Sequence, residues 1–240
     1  MTSPAVEEIP LTRSDLPRHT QRVLRDARGA KPAILLVERA GRRLIVKDFA
    51  HSPWLIRHTY GRWIVANETR IYRHLAGVEG VPAFRGRIDG FAFAVDFVDA
   101  ADLKLRRRKS LPGGVFDRLA ELHAALHERG VVHLDAHQRK NILLTGEGKP
   151  FLVDFATSLY LGRGWFSRSA LIPLLAQADR LGLQKLRARY SADRPPPDEA
   201  QRHRIRWLLG WLWPYTALRR LKRIIRRRAR RRARCSQGRP

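Results

Sequence analysis

Apolar residues in the first part of the chain come in short runs separated by turn formers. From Arg22 the order is RVL, a turn over 27–32, AILLVE, a tight turn at Ala40-Gly41, and LIVKDF. Runs of this length, rich in branched residues and bounded by Gly and Pro, predict three strands. Over residues 61–76, GRWIVANETRIYRHLA, the pattern changes to three-four spacing, which puts Ile64, Glu68, Ile71, Tyr72 and Leu75 on one helical face. Residues 81–105 return to strands, FRGRI and FAFAVDFV, joined at Asp89-Gly90, a pair suited to a tight hairpin turn. Pro112 to Arg129 reads as a helix with Val115, Leu119, Leu122 and Leu126 on one side and Gly130 as its stop. Gly162 to Leu186 is a second helical, Leu-rich region, and residues 106–110 form a basic exposed segment. Residues 1–20 are Pro-rich without apolar period and are expected to be a loose leader.

Charged residues placed inside apolar stretches carry the candidate chemistry. Lys47 lies within Leu44-Ile45-Val46-Lys47-Asp48-Phe49, and Glu68 is the acidic member of an otherwise apolar helix stripe. A carboxylate on a buried face is costly unless paired, and Lys47, 21 residues upstream, is the available cation. The competing assignments are an edge-strand Lys47 with its head in solvent and a Glu68 on the surface. Residues 131–155, VVHLDAHQRKNILLTGEGKPFLVDF, then set His133, Asp135, Asn141 and Asp154 at the ends of strand-like stretches. Phosphoryl transfer needs one carboxylate to orient the attacking hydroxyl, and an Asn with a second Asp to hold Mg²⁺ against the phosphates. A rival reading uses His123 and His127, one helical turn apart, with His133 and His137 flanking Asp135, as ligands to zinc or another transition metal.

The stretch resembles the catalytic and metal-binding loops of the protein-kinase superfamily, H-R-D-L-x-x-x-N and D-F-G, and Lys47 is similar to the V-A-I-K strand lysine. The resemblance covers roughly residues 22–160. It implies a two-lobed α+β fold, with a small β-rich N-lobe at about 21–100 and a reduced helical C-lobe at about 101–198, joined by a linker at Asp99 to Leu105 that contacts adenine. It also implies ATP and Mg²⁺ as cofactors. Lys47 would reach the α and β phosphates and pair with Glu68, Asp135 would be the catalytic base, His133 would support the loop through a hydrogen bond, and Asn141 and Asp154 would hold metal.

Several departures narrow that resemblance. No glycine-rich phosphate loop is recognisable, and between the first two strands only Gly29 could let backbone N–H groups approach phosphate. The family's Asn comes five residues after the Asp, whereas Asn141 comes six after Asp135, with Lys140 in the family's Asn position. A bulge would restore Asn141 to the metal and point Lys140 away; otherwise the Lys140 ammonium fills the metal site, which favours a pseudokinase. Ala156 replaces the Gly of D-F-G, and no A-P-E motif follows. These features point to small kinases of the lipopolysaccharide-core (Kdo/heptose) and related atypical types.

Charge adds a candidate location. The formal net charge is +26, and residues 201–240 hold fifteen Lys or Arg and no Asp or Glu. Such an excess implies a polyanionic partner. Pro195 to Pro197 separate a tail, 199–240, in which Trp207, Trp211, Trp213 and Tyr215 precede an apolar stripe of Leu218, Leu221, Ile224 and Ile225 opposite Arg and Lys. A basic amphipathic helix beside aromatic anchors predicts a membrane-surface element over 205–234; the alternatives are that the Trp cluster packs on the C-lobe as core and, more weakly, that the Arg run binds nucleic acid. The single Cys, Cys235, precludes an intrachain disulfide framework and suits a reducing compartment. The N-terminus lacks the pattern of a secretory signal, and no apolar run approaches a spanning length. The expectation is a cytoplasmic ATP- and Mg²⁺-dependent phosphotransferase at the inner face of the cell membrane, acting on a lipid-linked sugar hydroxyl. A protein Ser/Thr kinase and a membrane-bound pseudokinase scaffold are the alternatives.

Overall fold

Strict alternation in the third strand sets the architecture of the first lobe. The computed structural model describes residues 8–192 except 109, 136–137, 163 and 165–169. A short helix, α1 (Leu16–His19), leads into β1 (Thr20–Arg25), β2 (Ala33–Arg39) and β3 (Arg42–Asp48). These strands join β4 (Phe84–Arg87) and β5 (Ala92–Asp96) in an antiparallel sheet of order β1-β2-β3-β5-β4. The two-residue turn at Ala40-Gly41 has φ of 51° and 69°, the left-handed pair that suits a tight hairpin between twisted strands. Side chains of β3 alternate between faces. Leu44, Val46 and Asp48 are buried on one side, while Ile45 and Lys47 face the other.

The buried face of β3 corrects the expectation of a loose leader. Ile9, Leu11 and Leu16 are buried against Val37, Leu44, Val46, Ala92 and Ala94. The Ile9 N–H donates to the Arg85 carbonyl, and Arg13 pairs with Asp48 and Asp89. Residues 8–19 thus cover the outer side of the sheet. Ile9 and Leu11 alternate with exposed neighbours over only five residues and Leu16 stands apart, so the pattern is too short to announce an element.

Two other elements differ from expectation in extent. Asp89-Gly90 is a turn, but a four-residue one, in which Asp89 Oδ1 accepts the N–H groups of Phe91 and Ala92. The helix expected from residue 61 begins earlier, with α2 (Trp54–Ile56) and a π turn (Arg57–Gly61) running into α3 (Arg62–His74). Helix α3 packs its Ile64, Val65, Ile71 and Tyr72 against the sheet face that carries Phe93 and Val95.

The second lobe is built on two long helices with short strands between them. After β6 (Ala101–Asp102) come α4 (Gly113–Glu128), β7 (Val131–Val132), β8 (Ile142–Leu144), β9 (Pro150–Leu152), β10 (Leu159–Tyr160) and α5 (Ile172–Tyr190). Strand β8 pairs with β6 and β9, and β7 pairs with β10. Gly130, at φ 78°, ends α4 in the left-handed conformation, and a Cβ there would collide with the Gly162 carbonyl. These short ladders fix the loops after β7 and β9 beside one another. The chain therefore has an α+β, two-lobed, protein-kinase-like fold, a β-sheet lobe followed by a small helical lobe. The tail, including 205–234, lies outside the described residues.

Candidate functional site

Lys47 projects from the middle of β3, where Ile34 and Phe93 flank it across the ladders, into a cavity of about 790 Å³ between the sheet and the second lobe. Its Nζ lies 2.6 and 2.8 Å from the two oxygens of Glu68, which α3 presents, and 3.0 Å from Asp154 Oδ1. Glu68 is fully buried, so the surface assignment of this residue is wrong, and Lys47 is not a solvent-facing edge residue. Burial works against the Lys47 charge, but Asp154 and Glu68 outweigh it and hold its pKa above that of an ordinary lysine. Burial pushes the Glu68 carboxyl up to about 7 against the pull of Lys47.

Asp154 follows β9 in a left-handed conformation, φ 68° and ψ 70°. A non-glycine residue seldom takes that conformation, and several contacts hold it there. The Val153 N–H donates to the Asn141 carbonyl at 2.9 Å, and the Lys47 and Lys140 ammonium groups lie 3.0 and 3.3 Å from the two Asp154 carboxylate oxygens. The Phe155 ring lies 5.0 Å from the rings of both Tyr72 and His133, which links α3 to the loop after β7. Ala156 enters a 3₁₀ turn without positive φ, so alanine fits where the family has glycine. The nearby charge of Lys47, with that of Lys140, holds Asp154 well below the usual carboxylate range despite its burial.

The loop His133-Leu134-Asp135 is held from below by Asp179 on α5. Its carboxylate accepts the His133 N–H at 2.8 Å, the Leu134 N–H at 2.7 Å and His127 Nε2 at 3.0 Å. Leu134 is in the left-handed region at φ 61°. The His133 side chain does not support the loop by hydrogen bonding as expected, because neither ring nitrogen has a partner among the described residues. Its ring packs on Phe155, while its carbonyl accepts from Ser158 Oγ at 3.1 Å and from the Asp135 N–H at 2.8 Å. Asp135 accepts a short hydrogen bond from Gln138 Nε2. His123 donates through Nδ1 to the Leu119 carbonyl, so the paired histidines of α4 serve packing and the Asp179 anchor, while His137 lies outside the described residues.

Asn141 is buried, its Nδ2 3.4 Å from the Asp135 carbonyl, and its Oδ1 has no partner among the described residues. A buried, unpartnered amide oxygen beside an ionised carboxylate is the hard oxygen set that Mg²⁺ takes. Asn141 and Asp154 both line the cavity and fit such an ion. Lys140 does not point away as the bulge reading required: its Nζ is 3.3 Å from Asp154 Oδ2. Gly29 sits in the exposed β1–β2 turn at φ 60° and is not among the residues lining the cavity, which on this side are Leu24, Arg25 and Ile34. The expected linker does border the cavity, through Ala100, Asp102 and Lys104, with Phe97 and Val98 just before it.

Sequence reasoning missed Asp179 and Gln138. Asp179 carried the same signal as Glu68: it interrupts the stripe Ile172, Ala176, Leu183, Leu186 and Tyr190 at three-four spacing.

No family model matches the chain, and no curated protein matches it. Among solved structures, it is similar to the Rio2 kinase of Chaetomium thermophilum in complex with ADP/Mg²⁺ and phosphoaspartate, at 16% identity and a TM-score of 0.55. That match covers 77% of this chain and 61% of the other. A second structure of the same Rio2 kinase matches at 16% identity and a TM-score of 0.55, over 77% of this chain and 63% of that one. The chain thus spans less than two thirds of the length of the proteins it matches, and the likeness is one of fold.

Proposed function

We propose that this protein is an ATP- and Mg²⁺-dependent phosphotransferase that acts on a hydroxyl acceptor. The observation that carries the reading is Lys47, bonded at once to Glu68 and Asp154 inside the interlobe cavity. Positioning and charge neutralisation are what phosphoryl transfer asks of a protein. Lys47 would bind the α and β phosphates, while Asn141 Oδ1 and Asp154 would hold Mg²⁺, which supplies positive charge against the phosphate oxygens. Asp135, oriented by Gln138, would take the proton of the acceptor hydroxyl as its oxygen bonds to the γ phosphorus, leaving ADP.

The acceptor we favour is a lipid-linked sugar at the cytoplasmic membrane face. Beyond the basic tail, a patch on the first lobe supports that location: Trp54, Leu55 and Trp63 are 67%, 64% and 55% exposed, with Tyr60 beside Trp63. Arg57 and Arg62 lie in the same stretch, and no Asp or Glu occurs between Asp48 and Glu68. Exposed Trp and Tyr with basic neighbours match the water-lipid boundary of an anionic leaflet. The patch and the tail share a positive sign, so each suits an anionic surface better than it suits the other.

The Lys140–Asp154 pair and the missing glycine loop favour a second reading, a pseudokinase scaffold at the same membrane. Turnover of ATP by the purified protein with Mg²⁺, against a panel of lipid-linked glycans and Ser/Thr proteins, separates the readings. Phosphorylation of a glycolipid is the expected result. Nucleotide binding without turnover on any acceptor would leave the scaffold.

A further inference from the structure

The expected chemistry of the site leaves Lys140 without a role, yet the backbone fixes its position. It lies in the 3₁₀ turn Arg139–Asn141, whose last carbonyl accepts the Val153 N–H one residue before Asp154. This hydrogen bond ties the turn to the metal-binding loop, so the extra residue between Asp135 and Asn141 delivers a lysine to Asp154. The two ammonium groups divide the carboxylate between them, Lys47 on Oδ1 at 3.0 Å and Lys140 on Oδ2 at 3.3 Å.

The contact is poorly suited to a purely structural role. The Lys140 side chain is 50% exposed, and exposed ion pairs contribute on the order of 0–1 kcal/mol to stability. Its four-carbon stem also lets the head move between neighbouring anions. The cavity wall also carries the cations Arg25, Lys104 and Arg139 beside two acids, Asp96 and Asp102, and no glycine is among its lining residues. Positive side chains therefore stand where backbone donors and metal ions would otherwise neutralise a polyphosphate.

Resting on the nucleotide-binding reading above, we propose that Lys140 takes the place of a second divalent cation. With nucleotide bound, its ammonium moves from Asp154 Oδ2 to the terminal phosphate oxygens, and one Mg²⁺ takes Oδ2 with Asn141 Oδ1. Two consequences follow. The nucleotide retains affinity without any metal, because Lys47 and Lys140 cover both Asp154 and the phosphates. Lys140 also competes with the ion for Asp154, so removing it tightens the metal site.

The test uses the full chain and a fluorescent, non-hydrolysable ATP analogue, titrated in EDTA and again across a Mg²⁺ series. Lys140→Met should weaken binding in EDTA at least ~10-fold, the change produced by losing about 1.4 kcal/mol from one charge-assisted contact. The same variant should reach half-saturation at lower Mg²⁺, and Lys140→Arg should keep the wild-type behaviour in EDTA. A structural defect would weaken Lys140→Arg in EDTA as much as Lys140→Met, which overturns the proposal. So does wild-type affinity of Lys140→Met in EDTA, or Mn²⁺ titration of the wild-type complex that finds two ions. Failure of the wild type to bind the analogue in either condition would instead sink the nucleotide-site reading itself.

Discussion

Replacing Asp179 by asparagine keeps its volume while changing what three donors find. Oδ2 accepts from His133 N–H and His127, and Oδ1 from Leu134 N–H. An asparagine oxygen can keep the first two bonds, which leaves its NH₂ facing the Leu134 N–H, donor against donor. One orphaned buried donor costs about 1–3 kcal/mol, and the two surviving bonds lose charge assistance worth roughly 1 kcal/mol each. The total, about 3–5 kcal/mol, is a large part of the roughly 5–15 kcal/mol that stabilises a domain. Leu134 is also held at φ 61°, a strain of order 1–3 kcal/mol. Without its bond to Asp179 it can relax and carry Asp135 with it. A displacement near 1 Å costs about 10²-fold in rate, so Asp179→Asn should lower kcat by that order and leave ATP affinity nearly unchanged.

The pH dependence supplies an independent check. Burial raises the pKa of Asp179, but His127, the neighbouring imidazoles and the His133 N–H outweigh it and hold the group below an ordinary carboxylate. A depressed folded-state pKa contributes stability that is complete above the unfolded value, about 3.9, and is lost as pH falls through the folded value. The unfolding free-energy gap between wild type and Asp179→Asn, measured in urea, should therefore be full at neutral pH and shrink below about pH 4. A variant that unfolds and turns over like wild type at pH 7 would refute the anchoring role.

Lys47→Met and Asp154→Ala should each abolish Mg²⁺-ATP turnover with the circular-dichroism spectrum retained, and wild-type turnover by either contradicts the proposed site. Asp135→Ala should bind ATP almost normally but lose at least ~10²-fold in kcat, the scale of a general base; an equal loss of binding would make Asp135 structural. Leu16→Ala should destabilise the fold by about 2–5 kcal/mol, as for a buried leucine, whereas a denaturation midpoint unchanged from wild type would show that the leader is dispensable. The double variant Trp54→Ala/Trp63→Ala should sediment less with anionic liposomes, most clearly in high salt where charge is screened and in a chain ending at Asp198 that lacks the tail. Undiminished sedimentation there removes the patch from the membrane argument.

The legible part of this chain was the part where a charge sits in an apolar run. Lys47, Glu68 and Asp154 stand out because burying an ion demands a partner, and the structure joins all three. Asp179 sends the same signal from α5, but that helix also holds Arg180, Lys185, Arg187 and Arg189, which mask one acid as part of a mixed surface. The leader is illegible for the opposite reason, since only Ile9, Leu11 and Leu16 plug the sheet face, too few for a period to be read. Gly29 shows the limit of arguing from residue type: it has the freedom a phosphate loop needs, but it is not among the residues that line the cavity. Leu24, Arg25 and Ile34 line the cavity on that side, with no glycine among the lining residues. The position of Lys140, unreadable from a six-residue gap alone, becomes interpretable once Asp154 is seen between two ammonium groups.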